Sequence, residues 1–185
     1  MKKKLLSVAL ATIIAVMAIS GASLAWLQDT TQTVTNTFTE GVVDIELNET
    51  TGNTYHMVPG NVLSKDPTVV VKASSEACYL FVKIEEVNDV DTFLTYEIAD
   101  GWTQLEGVDG VYYREVADTD ADQTFYVLKG NTMYPNGIVS VNKEVTVAQM
   151  NALTEKTRPQ LKFTAYAIQK ANTGTAAEAW ALMNP

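Results

Sequence analysis

Apolar and polar positions alternate with period two along most of this 185-residue chain, and the breaks in that alternation mark its ends and turns. Val42 to Leu47 sets Val43, Ile45 and Leu47 against Val42, Asp44 and Glu46, the pattern of a half-buried strand. Met57-Val58-Pro59-Gly60 reads as a turn, and Val69 to Lys72, after Asp66-Pro67, as extended chain. Tyr79 to Val87 is the strongest strand, with Leu80, Val82 and Ile84 on one face and Lys83 and Glu85 on the other. Phe93 to Ile98 is another. Trp102 to Val108 and Val111 to Val116 flank Asp109-Gly110, the pair favoured by a two-residue type I′ hairpin turn. Thr124 to Leu128, then Ile138 to Val145 after the turn pair Asn136-Gly137, add two more strands. Leu161 to Ile168 closes the set, with Leu161, Phe163, Ala165 and Ala167 on one side.

Two segments switch to helical spacing. Thr146-Val147-Ala148-Gln149 is a capping box followed by Met150 and Leu153, with Pro159 soon after. Thr175-Ala176-Ala177-Glu178 is a second box, opening an Ala-rich terminal helix with Trp180 and Met183. About eight short strands at this spacing predict an all-β fold, a single jelly-roll-type β-sandwich with short helices.

The first residues follow a different logic. Lys2, Lys3 and Lys4 precede an almost unbroken apolar run from Leu5 to Ile19, and small residues follow from Ser20 to Ala25. This is the pattern of a cleavable secretory signal peptide over residues 1–25. Ser23 and Ala25 occupy the −3 and −1 places of a small-x-small site, so cleavage is expected before Trp26. An uncleaved anchor is the rival reading, but the run falls short of the roughly 20 residues a spanning helix needs, and Gly21 to Ser23 interrupt it. Signal peptidase is then the partner during export, and the membrane is met only through the signal. The mature chain divides into residues 26–40, a β-domain over 41–170 and a C-terminal helix in 171–185. No apolar span or cell-wall sorting signal is visible before Asn184-Pro185, so retention at a cell surface would depend on assembly or on another protein.

Residues 26–40 stand apart from the domain that follows. Asp29 to Thr39 is rich in threonine and free of Gly and Pro, with high β propensity. Read with period two, Trp26, Val34 and Phe38 share a face otherwise filled by Gln28, Thr30, Gln32 and Asn36. Such a strand is able to pair yet has few anchors of its own. An edge strand of the same domain and a loose N-terminal arm are equally consistent with it.

Composition narrows the functional classes. Without the signal, ten Lys and Arg face 22 acids, a net charge of −12 that argues against nucleic acid or an anionic membrane as partner. Cys78 is the only cysteine, so no internal disulfide is possible, and its apolar run predicts a buried thiol. His56 is the only histidine. With one His and one Cys, a zinc site of nitrogen and sulfur ligands is unsupported, and HExxH, G-x-S-x-G and P-loop motifs are absent. No enzyme is expected and no cofactor is implied. An exported chain without disulfides suits a bacterial cell. Asp118, Asp120 and Asp122 resemble the opening of a calcium loop, but Gln123 replaces its glycine and Lys129 its bidentate Glu. An EF-hand is excluded, and a looser calcium site on a β-loop stays open against a solvated acidic turn.

Several blocks resemble the TasA/camelysin family. Ala25 to Thr30, then Thr35-Asn36-Thr37-Phe38-Thr39-Glu40-Gly41 and Val43 to Leu47, are similar to the region that follows the cut in that family, with its N-T-F-x-x-G-x-x-x-x-x-L run. Val58-Pro59-Gly60 to Lys65-Asp66 resembles its P-G-x-x-x-x-K-[DT] segment, and Ser74 to Lys83 the strand after it. Phe163 to Lys170 with Ala176 to Trp180 is similar to the tail of small members. Residues 88–158 match only in strand pattern, and Leu27 stands where many members carry a second aromatic. The resemblance implies a jelly-roll subunit freed by a SipW-like signal peptidase and built into extracellular fibres of a biofilm matrix. The donor strand would carry Trp26, Val34 and Phe38 into the sheet of the next subunit. Self-association or related matrix subunits would then be the partners, outside the cell or at its surface. Two alternatives stay open: a monomeric secreted binding module, and a camelysin-like metal-dependent protease.

Overall fold

The computed structural model describes residues 41–52, 54–171 and 173–183. Their order is β1 (Ile45–Asn48), β2 (Val62–Ser64), β3 (Thr68–Val71), β4 (Cys78–Val87), α1 (Val90–Phe93), β5 (Leu94–Thr95), β6 (Thr103–Gln104), β7 (Val111–Val116), β8 (Gln123–Tyr126), β9 (Ile138–Val141), α2 (Val147–Ala152), β10 (Gln160–Gln169) and α3 (Ala176–Met183). The fold is all-β, with three antiparallel sheets ordered β1-β3-β8, β10-β4-β7-β6 and β2-β9-β5. All of it lies within one compact unit, residues 40–185.

The four-stranded sheet is the spine. β4 and β10 pair along their full length, from Cys78 opposite Gln169 to Val87 opposite Gln160. One face of β4 presents Cys78, Leu80, Val82 and Ile84, which pack with Val69 and Val71 of β3, Val116 of β7 and Val139 of β9. Leu161, Phe163, Ala165 and Ala167 line the same core, as their alternation predicts. The opposite face of β4 is covered too. Tyr79 and Phe81 pack with Leu105, Val111 and the α3 residues Ala176, Ala179 and Trp180. Trp180 lies 5.2 Å from Phe81 and 5.2 Å, edge-on, from Tyr166. Residues 78–82 are therefore buried without a break, the pattern of a strand covered on both sides.

The two smaller sheets meet through backbone bonds across residues 65–67 and 127–138. Lys65 N–H donates to Gly137 O and Val127 N–H to Pro67 O, both at 3.0 Å, continuing the β2–β9 and β3–β8 ladders, and Ile138 N–H donates to Lys129 O at 3.2 Å where the two run together. Gly137 is required there: its φ is +144° and an added Cβ would lie 2.2 Å from the Lys65 carbonyl oxygen.

Several expected elements change form. The hairpin between β6 and β7 exists, with Thr103 opposite Tyr113, but it does not use a two-residue type I′ turn. Leu105 N–H donates to Val111 O and residues 106–110 form a longer loop in which Gly107 and Gly110 carry positive φ, whereas Asp109 does not. A type I′ turn needs that conformation at both central residues. The Phe93–Ile98 strand shrinks to Leu94–Thr95, because Asn88 and Asp89 turn through left-handed conformations into the single turn of α1. β9 stops at Val141, where Asn142 caps the turn by donating to Asp91 O and Thr92 O. Both capping boxes form: Gln149 N–H donates to Thr146 Oγ1 at 3.2 Å, and Thr175 N–H donates to Glu178 Oε2 at 2.7 Å.

Candidate functional site

A cleft of about 680 Å³ opens between the small β2-β9-β5 sheet and the first residues of β10. Leu63, Leu94 and Val139 form its apolar floor, Met150 and Leu153 at the end of α2 one wall, and residues 54–57 the other. Arg158 and Lys162 stand at it beside Glu155. Asn88 holds the rim: its amide donates to Lys156 O and Arg158 O, each at 2.9 Å. Thr154 and Thr157 close a local turn beneath Arg158, whose N–H reaches Thr154 O at 3.1 Å.

Behind the cleft, Lys65 and Asp66 sit 9% and 6% exposed, unusual for charged groups unless paired. Lys65 forms an ion pair with Glu49 and lies 5.2 Å from the centre of the Tyr55 ring and 5.4 Å from that of Phe163. Tyr55 donates to the same Glu49 oxygen at 2.6 Å. Burial, then the hydrogen bond to Glu49, raise the Tyr55 phenol to about 12. Asp66 accepts from the backbone and the hydroxyl of both Thr50 and Thr51. Burial alone would raise this carboxyl, but the four hydrogen bonds outweigh it and hold the group below the ordinary aspartate value. The network fastens the segment after β1 to the link between β2 and β3. Lys65 also lines the cleft.

The sequence-predicted site residues fall in different places. The cut at Ser23, Ala25 and Trp26, and the donor positions Trp26, Val34 and Phe38, lie outside the described residues. Asp118, Asp120 and Asp122 share one exposed loop. The Asp122 carboxylate is taken up by Ala73 N–H at 2.8 Å and Lys72 at 3.4 Å, and the backbone bond to Ala73 first holds its carboxyl below the ordinary value. Among the described residues, no cluster of three or more His, Cys, Asp or Glu is placed to hold a metal ion. Cys78 is fully buried in the core, where burial raises its thiol to about 11, while His56 is exposed at the cleft. The two are not brought together. The cleft itself escaped sequence reading, because its lining comes from five separate stretches between residues 54 and 162.

A second feature is backbone, not side chain. β10 is ten residues long and borders the four-stranded sheet, with β4 as its only strand partner among the described residues. Apart from Thr173 Oγ1 at Gln169 O, no described group bonds to the outward side of β10. Every other sheet-border strand has two to four residues. Long open edges of this kind invite a further strand.

Compared with known proteins, the chain matches no family model, no curated protein and no solved structure. Fold and edge geometry define its class: an all-β protein of three antiparallel sheets whose main sheet is bordered by the ten-residue β10, paired among the described residues with β4 alone.

Proposed function

We propose that the mature chain is a secreted structural subunit of extracellular fibres, assembled when residues 26–40 of one copy add as a strand to β10 of the next. The observation that carries this reading is that β10, ten residues long, has only β4 as a strand partner among the described residues. The Thr-rich, Gly- and Pro-free composition of residues 29–39 supports it from the donor side, as does the resemblance to TasA/camelysin proteins. Before cleavage the signal peptide tethers the donor to the membrane. Cleavage before Trp26 frees its N–H and C=O groups to pair along another subunit's edge. The contact is head to tail, so it propagates instead of closing into a dimer. In this reading the three sheets form a jelly-roll-type sandwich, with β1-β3-β8 and β2-β9-β5 together facing the β10-β4-β7-β6 layer.

Protein beginning at Trp26 is purified as monomer, concentrated, and followed by size-exclusion chromatography and negative-stain electron microscopy. Thin filaments are expected, absent when residues 26–39 are deleted, with amide exchange in residues 160–169 slowed on assembly. A stable monomer at every concentration, or unchanged exchange in β10 within filaments, rejects strand addition at this edge. The cleft supports a second reading, a monomeric binding module; it predicts that the deleted protein loses stability instead of polymerisation.

A further inference from the structure

Burial on the core face of the main sheet fades toward β10. On β4, Leu80 and Val82 are fully buried and Ile84 is 4% exposed. Their neighbours across the ladder, Ala167, Ala165 and Phe163, are only half-buried while packing against the same core. The β1-β3-β8 sheet repeats the gradient: Val69 and Val71 of β3 are fully buried, and Ile45 of β1 is half-buried. β1 and β10 approach each other at the same border of that core. Near one end, an added Cβ on Gly41 would lie 3.3 Å from Gln169 Nε2. Near the other, Lys65, paired with Glu49, lies 5.4 Å from the centre of the Phe163 ring. Neither strand has a second strand partner among the described residues, so a seam runs between them.

The opposite border of the core is closed by bulk. There the Arg114 guanidinium of β7 lies 3.9 Å from the centre of the Phe125 ring and 5.3 Å from that of Trp102, whose indole donates to Tyr126 O at 2.8 Å. The seam is filled less evenly. Its β10 side runs from the small Ala167 and Ala165 through Phe163 to Leu161, where the space widens into the cleft of about 680 Å³. Ala165 and Leu161 are four residues apart on one face, about 13 Å along a strand. Residues 26–40 carry a matching pair, since Val34 and Phe38 also share a face four residues apart. An antiparallel strand sets Phe38 opposite Leu161 and Val34 opposite Ala165, so the larger side chain meets the larger space. A parallel strand reverses the match and leaves valine in the cleft. Antiparallel pairing also leads residue 40 off the Gln160 end of β10, which keeps the donor's own domain clear of the edge.

We infer that β10 receives residues 26–40 of a second copy in one antiparallel register, with Phe38 seated in the cleft and Val34 over Ala165. The inference rests on the strand-addition reading and adds to it the anchors, the direction and a use for the cleft. Backbone pairing along the Thr-rich run supplies affinity, and the two apolar side chains fix where the strand stops. A slip of one residue turns both anchors to solvent, and a slip of two takes Phe38 away from Leu161.

The test is cysteine pairing between copies, in protein beginning at Trp26. This register places Thr37 opposite Lys162, an exposed position on the face turned from the core. Thr37→Cys protein is mixed with Lys162→Cys protein, assembled and oxidised; Cys78 is fully buried and stays out of the reaction. A disulfide-linked dimer is expected. About tenfold less of it should form when Thr164→Cys replaces Lys162→Cys, because a diagonal neighbour lies beyond ordinary disulfide reach. Thr164 is the direct partner of Thr37 in the parallel register, so the two mixtures separate the directions. Phe38→Ala should raise the concentration at which filaments form by about tenfold, the worth of a buried phenyl ring. Ala165→Leu, which closes the space for Val34, should raise it too, with circular dichroism checking that the monomer stays folded. A dimer from the Thr164→Cys mixture alone, or Phe38→Ala protein that assembles like wild type, overturns the inference and leaves strand addition standing. Wild-type protein that stays monomeric at every concentration overturns both, and a monomer destabilised by Phe38→Ala then assigns the cleft to the chain's own segment.

Discussion

Two segments are fastened to the core by opposite physics. α3 lies on the outer face of the four-stranded sheet through Trp180, against Phe81 and Tyr166, with little polar help beyond its cap. Residues 49–51 are held by charge: Glu49 on Lys65, and four hydrogen bonds from Thr50 and Thr51 on Asp66. Apolar burial holds no titrating proton and no charge for salt to screen. A carboxylate network depends on its protons and loses its hold when they return. The comparison teaches that one small domain can carry one attachment insensitive to its surroundings and another that responds to them.

The largest expected effect breaks the apolar side. Trp180→Ala removes a nearly buried aromatic and should lower unfolding free energy by about 3–5 kcal/mol in urea titrations. A loss under 1 kcal/mol would show that α3 is an appendage. Next, Asp66→Ala strands the Thr50 and Thr51 donors and should cost about 2–3 kcal/mol at neutral pH by the same titration. The two variants should also diverge with acid. A carboxyl held low in the folded state contributes fully above the ordinary aspartate range and loses that contribution as pH falls through its folded value. Thermal midpoints of wild type and Trp180→Ala should fall together in acid, whereas Asp66→Asn should flatten that fall. Parallel acid profiles for all three would remove Asp66 from the account.

Smaller changes sharpen the contrast. Tyr55→Phe deletes one donor to Glu49 and should cost about 1 kcal/mol. Thr146→Ala removes the cap of α2, a helix with no buried residue, and should cost about 0.5 kcal/mol. Thr175→Ala, at the cap of the packed α3, should cost about twice as much. Equal losses at the two caps would mean that packing does not amplify a local signal.

Much of the fold was legible because its signals are local. Alternation located the long strands β4 and β10 to within a residue or so at each end, and both capping boxes formed where Thr146 and Thr175 placed them. Asp109-Gly110 marked a hairpin but not its turn, since the backbone of residues 106–110 follows the strand register on either side. The candidate site was far less legible. Lys65 and Asp66 stood out only by resemblance, and nothing local announced that they would be buried together against Thr50, Thr51 and Tyr55.

By itself the sequence determined the all-β character, the main strands, the helix starts and the acidic balance, because periodicity and capping act over a few residues. Only the tertiary structure decided that Tyr79 and Phe81 lie beneath α3, that β10 borders the main sheet, and that Lys65 and Asp66 are buried against residues far from them in the chain. Those outcomes depend on contacts between residues tens of positions apart, and their energies arise only once the strands are paired and the faces covered.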